Sequence, residues 1–272
     1  MTNEMPAQIA RAPLSVRWRE SCYTCRREDL ATMSRSYIDF ISAYCDSWCQ
    51  RCAFTERCSH FALSAALAMC DGDYEAATEL AIGPARVPGG QPQKKLAERM
   101  ADAMDGYQEP TAKELEDIGR EEDERRERLR RHPLAEMSYD YSVAGDRWVE
   151  RHESGNVDEG GSGNEALEVI RWDLFLIHVK IMRALHGRDE DPKGRFWKGR
   201  VQNDWNGSAK VSLISIDRSE RAWRTIAATR HDEGAMALAD NLAALREGMR
   251  REFPRAMDFR RPGFDDASPR RG

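Results

Sequence analysis

Four thiols, Cys45, Cys49, Cys52 and Cys58, fall within fourteen residues of this chain in the spacing Cys45-x3-Cys49-x2-Cys52-x5-Cys58. Thiolates are soft ligands for zinc and for iron–sulfur cores, and a run this dense is expected to hold a metal. The chain has seven cysteines, an odd number, and six lie between Cys22 and Cys58. That clustering is unlike a secreted disulfide scaffold and fits metal binding in a reducing compartment. On a continuous helix, positions 45, 49 and 52 lie within about 60° of one another, so three thiols share one edge. Cys58 then falls at the third position of the next helix, where unpaired N–H groups and the positive end of the helix dipole favour a thiolate.

Geometry ranks the metals. Zinc needs every sulfur about 2.3 Å from one atom, whereas Cα atoms at 45 and 52 stand roughly 10 Å apart along an unbroken helix. A larger inorganic core spans that separation better. The expected cofactor is therefore an iron–sulfur cluster of the [4Fe–4S] type with all four cysteines as ligands. Zinc is the alternative, and thiols that stay reduced or form disulfides are the third reading.

The run Cys49-Gln-Arg-Cys52-Ala-Phe-Thr-Glu-Arg-Cys58 resembles the Cys-x2-Cys-x5-Cys portion of RecB-family iron–sulfur nucleases. The likeness implies a cluster on these thiols. The family's fourth ligand lies far upstream, and here the remaining ligand would be Cys45. No strand-borne acidic pair with a following lysine accompanies it, since Asp191-Pro192-Lys193 sits in a loop pattern, so a nuclease site is not implied. Cys45-x3-Cys49-x2-Cys52 is also similar to the triad of radical S-adenosylmethionine enzymes, in which three thiolates bind a [4Fe–4S] cluster and the nucleotide takes the fourth iron. Pro88-Gly89-Gly90-Gln91-Pro92 is loosely similar to their Gly-Gly-Glu-Pro loop. Arg51 stands where that family has an aromatic, Cys58 supplies a fourth thiol, and the strands of a βα barrel are missing.

Other residues have ordinary explanations. Glu168, His178 and Asp217 lie on the two most apolar helical stretches, as ligands of a di-metal site would, but the chain has no Glu-x-x-His pair. Asp217 is expected to pair with Arg221 and His178 to make a hydrogen bond. Lys193, Arg195, Phe196, Trp197, Lys198 and Arg200 interleave charge and aromatics like a single-strand nucleic-acid platform, or form a solvated loop. From Arg246 onward there are eight arginines against five acids, an excess too small to demand a nucleic acid. Cys70 is expected to be a small core residue, and His60 is a possible substitute ligand.

The elements that must position the thiols are read as helices. Residues 1–33 lack periodicity and form an extension; a protein beginning near Met33 would make Cys22 and Cys25 dispensable. Ser36 caps a helix with the stripe Tyr37, Phe40, Ile41, Tyr44 and Trp48, Thr55 caps a second through Met69, and Asp73 a third from Tyr74 to Ile82. Residues 34–82 are thus a Cys-rich helical module, and the Gly/Pro-rich stretch 83–93 is its linker. A bundle over 94–252 follows, with a Thr111/Glu114 capping box, an ion-paired helix (Glu121–Arg125, Glu122–Arg126, Glu124–Arg128, Glu127–Arg131), and helices over 134–152, 165–185, about 208–229 and about 233–252. Residues 253–272 are a tail. The fold class is all-α.

Charge and hydropathy limit the partners. The formal charge of −5 is the difference between 47 acidic and 42 basic side chains, so no long-range field points to nucleic acid or anionic lipid. No stretch gives about 20 uncharged apolar residues and none near the start resembles a signal peptide, which places the protein in the cytoplasm with a redox or protein partner and no membrane. The function expected is electron transfer or redox sensing.

Overall fold

A computed structural model describes residues 37–82, 109–153, 162–192 and 199–265. The expected extension 1–33 with Cys22 and Cys25, the linker 83–93, the radical-enzyme-like loop, and Lys193 to Lys198 lie outside the described residues. The protein is all-α, with seven α-helices and no strand among the described residues. No described helix is long and apolar enough to cross a membrane. The chain divides into two compact units; residues 43–47 belong to the second, C-terminal one.

In the first unit, helices α1 (Ser59–Met69) and α2 (Tyr74–Ile82) form a hairpin. Asp73 caps α2 as the sequence predicts, its carboxylate accepting the N–H groups of Glu75 (3.0 Å) and Ala76 (3.1 Å). Asp71 and Gly72 make the turn with positive φ (50° and 87°), a conformation that Asp tolerates and Gly adopts freely. The buried core of the hairpin is alanine only: Ala62, Ala65 and Ala66 against Ala77 and Ala81. Small side chains let the helices approach closely, but each buried methyl contributes only about 0.8 kcal/mol. Cys70 packs against this core as expected.

The helix expected from Ser36 through Trp48 does not form. Ile41–Tyr44 and Cys49–Arg51 are short 3-10 turns, and Phe40 and Ser47 both adopt φ of 58°, which a right-handed helix cannot contain. In a helix the Ser47 N–H would donate to the Ala43 carbonyl. Here that N–H goes to the Cys45 sulfur (3.4 Å), and the Ala43 carbonyl accepts from Lys180 (3.4 Å). Tertiary partners have taken both ends of the helical bond.

The second unit is the bundle: α3 (Ala112–Arg130), α4 (Pro133–Glu153), α5 (Ser162–Glu190), α6 (Asp204–Arg230) and α7 (Glu233–Glu252). The capping box at Thr111 and Glu114 is present. Two of the four expected i,i+4 pairs form, Glu122–Arg126 (3.9 Å) and Glu127–Arg131 (2.7 Å). Arg125 and Arg128 instead reach Asp189 and Glu190 at the end of α5, because α5 runs five residues past the expected stop and brings these acids into range. At the centre α6 is buried on nearly every face. Ile170, Ile177, Ile181 and Leu185 of α5 line it on one side, and Leu238, Leu242, Leu245 and Met249 of α7 belong to the same core. Gly145 lets α4 close on α5: a Cβ there would lie 2.3 Å from Leu174 Cδ2.

Candidate metal centre

Cys45 sits in the five-residue segment Ala43–Ser47, in which the bundle holds Ala43, Tyr44 and Asp46. The Tyr44 ring, almost fully buried, packs with Val211 and Phe259. It occupies a notch over Gly207, where a Cβ would stand 2.3 Å from Tyr44 Cδ1 and Cε1. Burial pushes the Tyr44 phenol pKa well up, and Asp204 adds to the shift. Trp172 donates its indole N–H to the Asp46 carbonyl (2.8 Å), and Arg218 its guanidinium to the Asp46 carboxylate (2.7 Å). Lys180, 5% exposed, donates to the Ala43 carbonyl. Burial lowers its pKa, and the negative charge of a Cys45 thiolate, Asp204 and Asp46 would counter that.

Behind Asp46 the polar contacts continue into the core. Arg218 also grips Asp173, whose side chain is fully buried, with Nε 2.9 Å from Oδ2 and Nη2 2.5 Å from Oδ1. Ser219 donates to the same carboxylate (2.9 Å), and Trp223 donates to the Tyr141 hydroxyl (2.9 Å) beside it. Burial raises the Asp173 pKa, and the Arg218 and Ser219 bonds pull it back.

In the first unit the three remaining thiols lie on short turns. Cys49 opens the 3-10 turn Cys49–Arg51, over which the Arg51 guanidinium stacks on Trp48 (4.2 Å). Cys52 follows that turn, its sulfur accepting the Phe54 N–H (3.4 Å). Cys58 is the N-cap of α1 rather than the third residue of a helix, because Thr55–Arg57 forms a separate 3-10 turn. Its sulfur accepts the Phe61 N–H (3.4 Å). An N-cap sulfur takes up one of the N–H groups left unpaired at the start of the helix.

The sulfurs of Cys45, Cys52 and Cys58 thus each accept a backbone N–H two or three residues on. None of the four thiols, nor Cys70, is in a disulfide. Among the described residues no three His, Cys, Asp or Glu side chains are grouped closely enough to hold a metal ion. The donor set suits zinc or iron. His60 is exposed and its carbonyl accepts from Ser64. Glu168, His178 and Asp217 form no metal group. His178 makes the hydrogen bond expected of a core histidine, with Ser138 (2.9 Å). Asp217 pairs with Arg246 (3.2 Å) rather than Arg221.

The residues that hold Cys45 in place, Trp172, Asp173, Lys180, Gly207 and Arg218, were not singled out by the sequence reading. Their signal is a pair of charges seven residues apart, Asp173 and Lys180, on the buried stripe of α5 with Ile177 and Ala184. Buried charges on a core face require partners. Comparison with protein-family models, with curated proteins and with solved structures finds no match to this chain.

Proposed function

We propose that Cys45, Cys49, Cys52 and Cys58 bind an iron–sulfur cluster of the [4Fe–4S] type that serves electron transfer or redox sensing. The observation that carries this reading is the N–H bond to the sulfurs of Cys45, Cys52 and Cys58, each at 3.4 Å. Hydrogen bonds to ligating sulfurs are a feature of protein-bound clusters, whose potential they tune. The bound group would supply reversible one-electron chemistry; the chain supplies four sulfur ligands and backbone N–H donors to three of them. Because no three metal-ligating side chains are grouped among the described residues, loading is coupled to reordering of the short turns that carry Cys49, Cys52 and Cys58. The alanine core of the hairpin makes that coupling large in effect, since small modules draw stability from metal binding directly.

Zinc as a structural staple is the second reading, and one observation favours it. The helix-based separation of Cys45 from Cys52 no longer argues against a single small ion, because no continuous helix joins them. Four variants test the ligand set. Cys45→Ala, Cys49→Ala, Cys52→Ala and Cys58→Ala should each lower bound metal and make the remainder labile to chelator or oxygen. A Cys58→Ala protein equal to the parent in metal content, beside three that lose it, would replace the four-thiolate centre with the three-cysteine arrangement of a radical S-adenosylmethionine enzyme.

A further inference from the structure

The segment that carries Cys45 shares its seat with the C-terminal end of the described chain. Lys210, 8% exposed, donates to the Phe259 carbonyl (2.6 Å), the Met257 carbonyl (3.4 Å) and the Asp265 carboxylate (2.6 Å). Arg261 adds its backbone N–H (2.9 Å) and its guanidinium (3.0 Å) to Asp265. Gln202 closes both sides of Arg260, donating to its carbonyl (2.6 Å) and accepting its N–H (3.1 Å). These contacts fix Phe259, fully buried, with its ring centroid 4.5 Å from that of Tyr44. Both rings meet over Gly207: a Cβ there would lie 2.3 Å from two Tyr44 ring carbons and 3.0 Å from Phe259 Cζ.

Tyr44 is the apolar anchor of its segment, and the other anchors are polar: Asp46 to Arg218 and Trp172, and Ala43 to Lys180. An aromatic ring is seated by the area it buries, and one wall of this seat is Phe259. Just past the seat, Ser47 holds a left-handed φ of 58°, a strained conformation that persists only while surrounding contacts impose it. We infer that residues 253–265 are a clamp that decides whether the Cys45 segment is seated, so that unlatching the C-terminal segment frees Tyr44 and opens Cys45 to solvent. The device controls access to one thiol. It does not depend on a bound metal, although a cluster ligated by Cys45 would be exposed by the same movement.

The test is the rate at which iodoacetamide alkylates Cys45 in the full-length chain, followed by mass spectrometry before and after chelator treatment, with Cys70 as internal reference. Phe259→Ala removes the shared wall and should raise the Cys45 rate about fivefold or more, and Gln202→Ala should raise it about twofold, with Cys70 unchanged in both. Gln202→Ala sheds only exposed hydrogen bonds, so at least one variant keeps the parental far-UV circular dichroism. A parental Cys45 rate in every variant that keeps it, or equal acceleration of Cys45 and Cys70, overturns the clamp. The labelling needs no metal, so a chain found to contain none refutes the cluster and leaves this result standing.

Discussion

Cys58 has two tasks that single substitutions separate. As N-cap it satisfies the Phe61 N–H, and as a proposed ligand it supplies a thiolate. Cys58→Ala should cost the metal-free hairpin about 1 kcal/mol, whereas Cys58→Asp, a strong cap with no sulfur, should leave it unchanged or better. Both should lose metal. Chemical denaturation of the metal-free variants checks the first part, and metal content the second. The Asp173–Arg218 pair gives a second residue-scale expectation. Asp173 has no exposed side-chain surface and Arg218 is 25% exposed, so Arg218→Ala leaves a buried carboxylate without its counter-charge, with only the Ser219 hydroxyl still donating to it. It should destabilise the bundle by about 3 kcal/mol, read as a lower midpoint in urea, and a loss below about 0.5 kcal/mol would contradict the pairing. Ser208 and Ser215 on α6 invert the logic. Both are buried and neither hydroxyl has a hydrogen-bond partner among the described residues, so Ser215→Ala should be neutral or stabilise by about 1 kcal/mol.

Among the elements, α4 and α5 cross where Gly145 meets Leu174. Gly145→Ala gains helix propensity but overpacks that crossing, and it should be destabilising by about 1–3 kcal/mol net; a more stable variant would show that the crossing has slack. The bundle helices were legible from their period-3.6 stripes, and α3 from its capping box and i,i+4 charges. Thr111 with Glu114 opens α3, Asp232 caps α7 through the Ala235 N–H (2.7 Å), and α7 spans Glu233–Glu252 as its pattern requires. The first stripe, Tyr37 to Trp48, misled for a physical reason. Those apolar residues are wanted elsewhere, Tyr44 over Gly207, and the backbone groups that would close the helix are taken by Lys180 and by the Cys45 sulfur. A local pattern cannot register a partner more than a hundred residues away. The candidate thiols were legible from spacing alone, but the charges that fasten Cys45 were not, because Arg218 and Asp173 come together only when α5 and α6 pack.

Across the whole molecule, the two units should respond differently to pH and to metal. His178 of α5 is half-buried, and burial lowers its pKa. Its Nδ1 shares a hydrogen bond with the Ser138 hydroxyl (2.9 Å), and burial disfavours the charged ring. A histidine whose folded pKa is depressed takes up protons preferentially when unfolded. Its contribution is present above the unfolded value of about 6.5 and is lost as pH falls below it. Bundle stability should therefore drop between pH 7 and 5, and His178→Gln should flatten that part of the profile. Chelation should act on the other unit, lowering the melting transition of the alanine-cored hairpin and leaving that of the bundle, whose core of Ile, Leu and Trp is independent of the thiols. The central claim, that the four cysteines hold iron and sulfide, is tested most directly by the absorption spectrum and metal content of the full-length protein purified without oxygen. Thiolate-to-iron charge transfer predicts a brown protein with a broad visible shoulder and iron in excess of zinc. A colourless protein carrying stoichiometric zinc, or no metal, would contradict it.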